Sequence, residues 1–264
     1  LIQTSINGFY EGREQKIYAG SYGLIESNRH LEEIQSFTIQ AMIWPTTPDK
    51  GEQCILGKWD DKTKNGFALI VTKDGCLGLT VGNGKGKSYT VSSGKAFLPR
   101  QWYQVAASWD SKKRIVTLYQ KPKHQYVGID HGGFLRKSIN LNCKFHNKAP
   151  LTIAAIFNRR QRGMVICNKF YNGKIDGPKV FDCVLNSQEI VSLNGNELPA
   201  KLAVSTIAAW DFSRDITSTR ISDISARQMH GEIVNLPARG MTGANWKGSE
   251  MCWRHSPQEY GAIH

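Results

Sequence analysis

The chain has 264 residues, of which 40% are hydrophobic and 21% charged, and Lys plus Arg (34) exceed Asp plus Glu (22) for a net charge of +12. That mix excludes long disorder, and the length can bury a core without disulfides or metal. No apolar run approaches the roughly 18 residues of a membrane helix, so no membrane partner is expected.

Leu1-Ile2-Gln3 opens with neither a basic nor an apolar leader, so no secretory signal is expected and the sequence reads as an excised piece of a longer chain. Strand texture then dominates. Residues 36–44 (SFTIQAMIW) alternate apolar and polar side chains and stop at Pro45. The pattern recurs over 54–59, 66–72, 77–81, 88–91, 103–108, 116–120, 151–156, 173–181 and 208–212. Lys64-Asn65-Gly66, Lys73-Asp74-Gly75, Gly82-Asn83-Gly84 and Asn172-Gly173 punctuate the runs as turns. This spacing predicts an all-β, antiparallel β-sandwich over residues 1–236. One helical turn is expected over 187–193, opened by Asn186 or Ser187 with Glu189 following. From Pro237 to 264 the alternation ceases. This Gly- and Trp-rich tail, with Trp246 and Trp253, is expected to pack on the sandwich or on a further domain.

Charge is unevenly spread. From Lys85 to Lys123 nine basic residues meet Asp110 alone, and from His131 to Ile175 nine more meet no acid. A basic region attracts anionic partners at long range. Here the charges sit singly between apolar residues, which reads as a solvated face or a subunit interface. Arg159-Arg160-Gln161-Arg162 is an obvious nucleic-acid anchor, but no aromatics interleave with it, so nucleic acid is not expected. Arg159, Arg160 and Arg162, with Trp246 and Trp253, are instead candidate interface residues.

The order of these pieces resembles a laminin-G-like, concanavalin-A-like jelly roll. The resemblance rests on Phe37-Thr38-Ile39-Gln40-Ala41-Met42-Ile43-Trp44-Pro45, on Gln101-Trp102-Tyr103-Gln104-Val105 leading to Ser108-Trp109-Asp110, and on 170–180 (FYNGKIDGPKV), and it covers roughly residues 15–235. A narrower resemblance begins at Trp210-Asp211-Phe212. It continues through Ser222-Asp223-Ile224-Ser225, Met229-His230-Gly231, Ala238-Arg239-Gly240-Met241-Thr242-Gly243 and 253–264 (WRHSPQEYGAIH). These segments are similar to the jelly-roll portion of the N,N-dimethylformamidase large-subunit family. The resemblance implies a mononuclear iron, held by tyrosines and a glutamate, in a C-terminal catalytic domain outside this chain. No catalytic residue and no metal ligand is therefore assigned here. The partners it implies are that catalytic domain of the same polypeptide and a small subunit, and a homo-oligomer is also open.

Other chemistries find little support in the residues. His124, Asp130 and His131 form the best local ligand cluster, and a surface loop is the expected reading of it. Residues 82–88 (GNGKGKS) end like a phosphate loop, but a strand follows where that loop needs a helix, so a hairpin turn is expected. No GxSxG elbow occurs, and no ExDxxE strand places paired carboxylates for glycoside hydrolysis. A lectin-like glycan-binding module is the alternative function. Trp59, Asp60 and Asp61 are its candidate ligand residues, with Asp60, Asp61 and Asp110 as loop acids for calcium. Trp44, Trp109 and Trp210 sit in strand patterns and are expected in the core. The six cysteines (Cys54, Cys76, Cys143, Cys167, Cys183 and Cys252) form no CxxC pair, and most lie in apolar runs. They read as reduced thiols in a cytoplasmic setting, with one or more disulfides as the alternative.

Overall fold

A computed structural model describes residues 20–124, 132–143, 145–193, 198–239 and 243–244. Its strands are β1 (Tyr22–Ile25), β2 (Phe37–Pro45), β3 (Gln53–Asp60), β4 (Asn65–Val71), β5 (Cys76–Gly82), β6 (Ser88–Ala96), β7 (Tyr103–Asp110) and β8 (Ile115–Pro122). They continue as β9 (Gly133–Ser138), β10 (Leu151–Ile153), β11 (Ile156–Gln161), β12 (Met164–Asn168), β13 (Gly173–Phe181), β14 (Thr206–Asp211), β15 (Arg220–Asp223) and β16 (Gly231–Val234). Two short α-helices, α1 (Arg29–Glu32) and α2 (Ser187–Ser192), and a 3-10 turn (Ala200–Leu202) complete the description.

Fourteen of these strands pair in the order β6-β5-β4-β3-β10-β1-β16-β15-β14-β13-β2-β7-β8-β9, antiparallel throughout. The ribbon doubles over so that its two halves face each other. The joint is narrow, because β14 and β15 share only the pairs Trp210↔Asp223 and Asp211↔Ser222. Phe37 of β2 meets Phe67 of β4 at a ring separation of 4.4 Å, and Phe145 closes the end of the interior against both rings. The alternation of each strand fills the space between the halves. Phe37, Ile39, Ala41 and Ile43 come from β2 and Val105, Ala107 and Trp109 from β7; Phe67, Leu69, Val71, Leu77, Leu79 and Val81 face them from β4 and β5. Each fully buried large side chain contributes about 1.5–3 kcal/mol, so this interior is the main stabilising element.

Two local features depart from the sequence expectation. The run 151–156 is not one strand. Ala154 adopts a left-handed backbone (φ 67), which breaks the run into β10, inside the large sheet, and β11, which pairs with β12 alone. In addition α1 forms where no helix is expected, because the Asn28 side chain caps it by accepting from Leu31 N–H at 3.2 Å. The expected second helix is α2, and it carries a capping box between Asn186 and Glu189. Residues 82–88 form the β5–β6 turn, as a hairpin reading requires.

Candidate functional site

The β3–β4 corner holds Trp59, Asp60 and Asp61. Trp59 does not stand in a loop, since it is the penultimate residue of β3 and is only 5% exposed. Its ring packs with Cys54, Ala68, Ile70 and Ile156, and it lies so close over Gly82 that a Cβ there would sit 3.0 Å away. The indole N–H donates to Asp61 Oδ1 at 3.2 Å, and Lys64 Nζ reaches the same oxygen at 2.6 Å. These two donors, Lys64 foremost, hold the Asp61 carboxyl below the usual carboxylate range. Asp60 accepts from Lys62 N–H and from the Thr63 hydroxyl. Both carboxylates therefore shape the turn, which Gly66 completes at φ +124, where a Cβ would fall 1.9 Å from the Lys58 carbonyl oxygen. Trp59 is thus corrected from a ligand platform to a packed side chain. Asp110, the third loop acid, accepts from Lys112 and Lys113 N–H at the β7–β8 turn. Among the described residues no group of three or more His, Cys, Asp or Glu side chains converges on one point. Asp130 and His131 lie outside the described residues, as does Cys252. Cys54, Cys76, Cys143, Cys167 and Cys183 are free thiols.

Arg159, Arg160 and Arg162 are exposed along the β11–β12 hairpin. Arg160 pairs with Glu26 at 2.6 Å and Arg159 donates to Gln161 at 3.3 Å, while Arg162 occupies the tight turn at φ 50. The hairpin is tied down by the Tyr22 hydroxyl, which donates to the Val165 carbonyl at 3.0 Å.

The outer face of β2, β7 and β13 is covered as well, a feature the sequence reading misses. Ala106 and Phe181 pack beneath Leu185, Ile190, Leu193 and Leu202, and Gln104 Nε2 donates to the Ile190 carbonyl at 2.7 Å. Further along, Met42, Trp102 and Ala244 cluster with Trp44, and Ala244 N–H donates to Asp176 Oδ2 at 3.1 Å. Trp44 is therefore an outer-face residue rather than part of the central interior; its ring meets Trp102 edge-on, with Lys174 above it. Trp246 and Trp253 lie outside the described residues. Under this cover, Lys179 is 1% exposed and Gln40 is 0% exposed. Burial pushes the Lys179 ammonium down to about 8, against the opposing pull of Asp176 and Asp211.

The last strands carry two anchors. Asp223 accepts from Ala209 and Ser225 N–H, from the Ser225 hydroxyl and from Met229 N–H, at 2.6–2.8 Å. Arg239 spreads its guanidinium over five backbone carbonyls, those of Phe212, Arg214, Asp215, Ser218 and Arg220. Both residues belong to motifs singled out in the sequence, and in the structure their role is to hold the fold.

Comparison with known proteins places this geometry. A family model described as the concanavalin A-like lectin/glucanases superfamily matches residues 19–191. The chain is 30% identical over 278 residues to the N,N-dimethylformamidase beta subunit of an Alcaligenes species, and 29% identical over 276 residues to that of Paracoccus aminophilus. Each alignment takes in 99% of this chain and 36% of the relative, so the chain spans about a third of their length. A candidate carbohydrate binding protein of Bacteroides ovatus superposes with a TM-score of 0.51 at 16% identity, over 84% of this chain and 59% of that one, which is a likeness of fold alone. With two facing antiparallel halves and a family match over most of its length, the chain belongs to the concanavalin A-like lectin/glucanases superfamily.

Proposed function

We propose that this chain is a non-catalytic jelly-roll domain of an amide hydrolase large subunit similar to N,N-dimethylformamidase, serving the assembly and support of a catalytic domain and a small subunit. The observation that carries the reading is end-to-end likeness, at about 30% identity over 99% of the chain, to only 36% of each relative. The chemistry of the residues supports it. The loop acids Asp60, Asp61 and Asp110 are engaged by backbone N–H groups, a threonine hydroxyl, an indole and lysines, and the described residues gather no three His, Cys, Asp or Glu side chains at one point. We place the iron of such an enzyme outside this chain and the whole in the cytoplasm. The glycan-binding alternative finds its aromatic platform, Trp59, buried.

The test is the rate of dimethylamine release from N,N-dimethylformamide by this chain and by the full-length protein, each with its iron content measured. The expected result is iron and activity in the full-length protein and neither in the chain. Activity in the chain alone overturns the reading, and inactivity of both removes the formamidase link.

A further inference from the structure

The cover over the β2, β7 and β13 face reaches Tyr119 of β8, and beyond it the outer face of β8 is only partly buried and that of β9 exposed. There a groove of about 270 Å³ runs between the start of α2 and the edge strand β9. Its floor is Ile115 and Thr117 of β8 together with Leu185 and Ile190. Phe134 and Arg136 of β9 and Val184 border it, and Asp110, Lys113, Asn186 and Ser187 complete the lining. The register sets Phe134 opposite Tyr119 and Arg136 opposite Thr117, so the phenyl ring and the guanidinium stand side by side on one face. Phe134 is 59% exposed and Val184 41% exposed, two of the few large apolar side chains left in solvent.

Lys113 and Arg136 are the cations that line the groove, and Asp110 is the acid. Arg136 makes no ion pair among the described residues, Lys113 approaches only Asp110, at 3.9 Å, and Lys112 and Arg114 flank Lys113 in the β7–β8 turn. Asp110 accepts two backbone N–H groups and Glu189 the Asn186 N–H of the capping box, so both carboxylates are fixed in place, while the β7–β8 turn and β9 together carry more cations than acids. A mostly apolar slot bordered by an excess of positive charge is complementary to an apolar side chain flanked by carboxylates. The volume lies below the roughly 300–1,000 Å³ typical of sites that enclose a small molecule.

We propose that this groove is a docking site for an acidic segment of another polypeptide, which inserts one large apolar side chain beside Phe134 and sets its carboxylates against Arg136 and Lys113. The inference rests on the reading of the chain as an assembly domain and names the surface through which it would engage a partner.

A displayed library of random short peptides, selected on the whole chain and counter-selected on the double variant Phe134→Ser/Arg136→Glu, provides the test. The enriched peptides are then measured by fluorescence anisotropy on the single variants. The expected outcome is enrichment of Asp- and Glu-rich peptides with a central Leu, Met or Phe. Their binding should weaken as salt rises and fall about tenfold or more in Phe134→Ser and in Arg136→Glu. Replacing peptide carboxylates with lysines should restore binding to Arg136→Glu, while Tyr89→Ser, at another exposed ring, should leave binding unchanged. Both mutated side chains are exposed, so unaltered thermal melting is expected of each variant. Absence of enrichment, enrichment of basic peptides, or binding of polygalacturonate with the same dependence on Phe134 and Arg136 overturns the proposal. Amide hydrolysis by the chain itself would instead sink the accessory reading, and the two failures are read in separate assays.

Discussion

Lys58 and Lys179 are ammonium groups set where water does not reach them. Lys58 is fully buried and donates to the Asn147 carbonyl and amide oxygens and to the Ala149 carbonyl, at 2.7–2.9 Å. Burial still pushes it down to about 8, with Glu32 opposing. An unfolded lysine keeps its proton to about 10.4, so between pH 8 and that value the unfolded chain binds more protons and stability rises with pH. Buried thiols act the other way. Burial raises Cys143 and Cys167 to about 12, whereas unfolded thiols ionise near 8.5, so the folded state loses ground above that pH. Urea midpoints are therefore expected to rise from about pH 8 to 9 and fall beyond. Lys58→Met should flatten the rise and cost about 2–4 kcal/mol at pH 7, because it leaves buried acceptors without donors. Gln40 presents the opposite case. Its buried amide oxygen and nitrogen have no hydrogen-bond partner, so the similarly shaped Gln40→Met should stabilise the chain by about 1–2 kcal/mol in urea melts with unchanged slope. A loss of stability instead would show that the amide is satisfied in solution.

At the scale of elements, the segment after β14 is held less by strand pairing than by two polar anchors. β15 and β16 are each four residues long and share only two register pairs. Asp223→Ala strands the N–H groups of Ala209, Ser225 and Met229, and a loss of about 3–5 kcal/mol is expected in thermal or urea unfolding. Arg239→Lys tests the second anchor. An ammonium is a compact point charge and cannot span the five carbonyls that the planar fork reaches. Faster limited proteolysis within residues 212–220 is expected, with cleavage elsewhere unchanged. These anchors also show where legibility fails. β2, β4, β5, β7 and β13 are readable because long alternating runs announce a sheet with a buried face. β9 (GFLRKS), β15 (RISD) and β16 (GEIV) are not, since they are too short to show a period-two run and exist through their pairing partners.

For the molecule as a whole, period-two alternation and regular turns determined a two-layer antiparallel sandwich, because a strand can hide one apolar face only by facing another sheet. The turn residues at 64–66, 73–75 and 82–84 likewise keep their expected places, because a turn is local. What only the tertiary structure decided is which second faces are covered. Trp44 and Trp59 look alike in sequence, each near the end of an alternating strand. Both lie outside the central interior, yet Ile156 and the neighbouring strand residues bury Trp59, while Trp44 stays partly exposed beside Trp102. Covering depends on elements far away in the chain, α2 and the β11–β12 hairpin, whose positions no local pattern encodes. For the same reason the groove beside Phe134 is invisible in sequence. Its floor, walls and cationic rim come from β7–β9 and from the start of α2, which residues 139–183 separate in the chain and the folded sheet brings side by side.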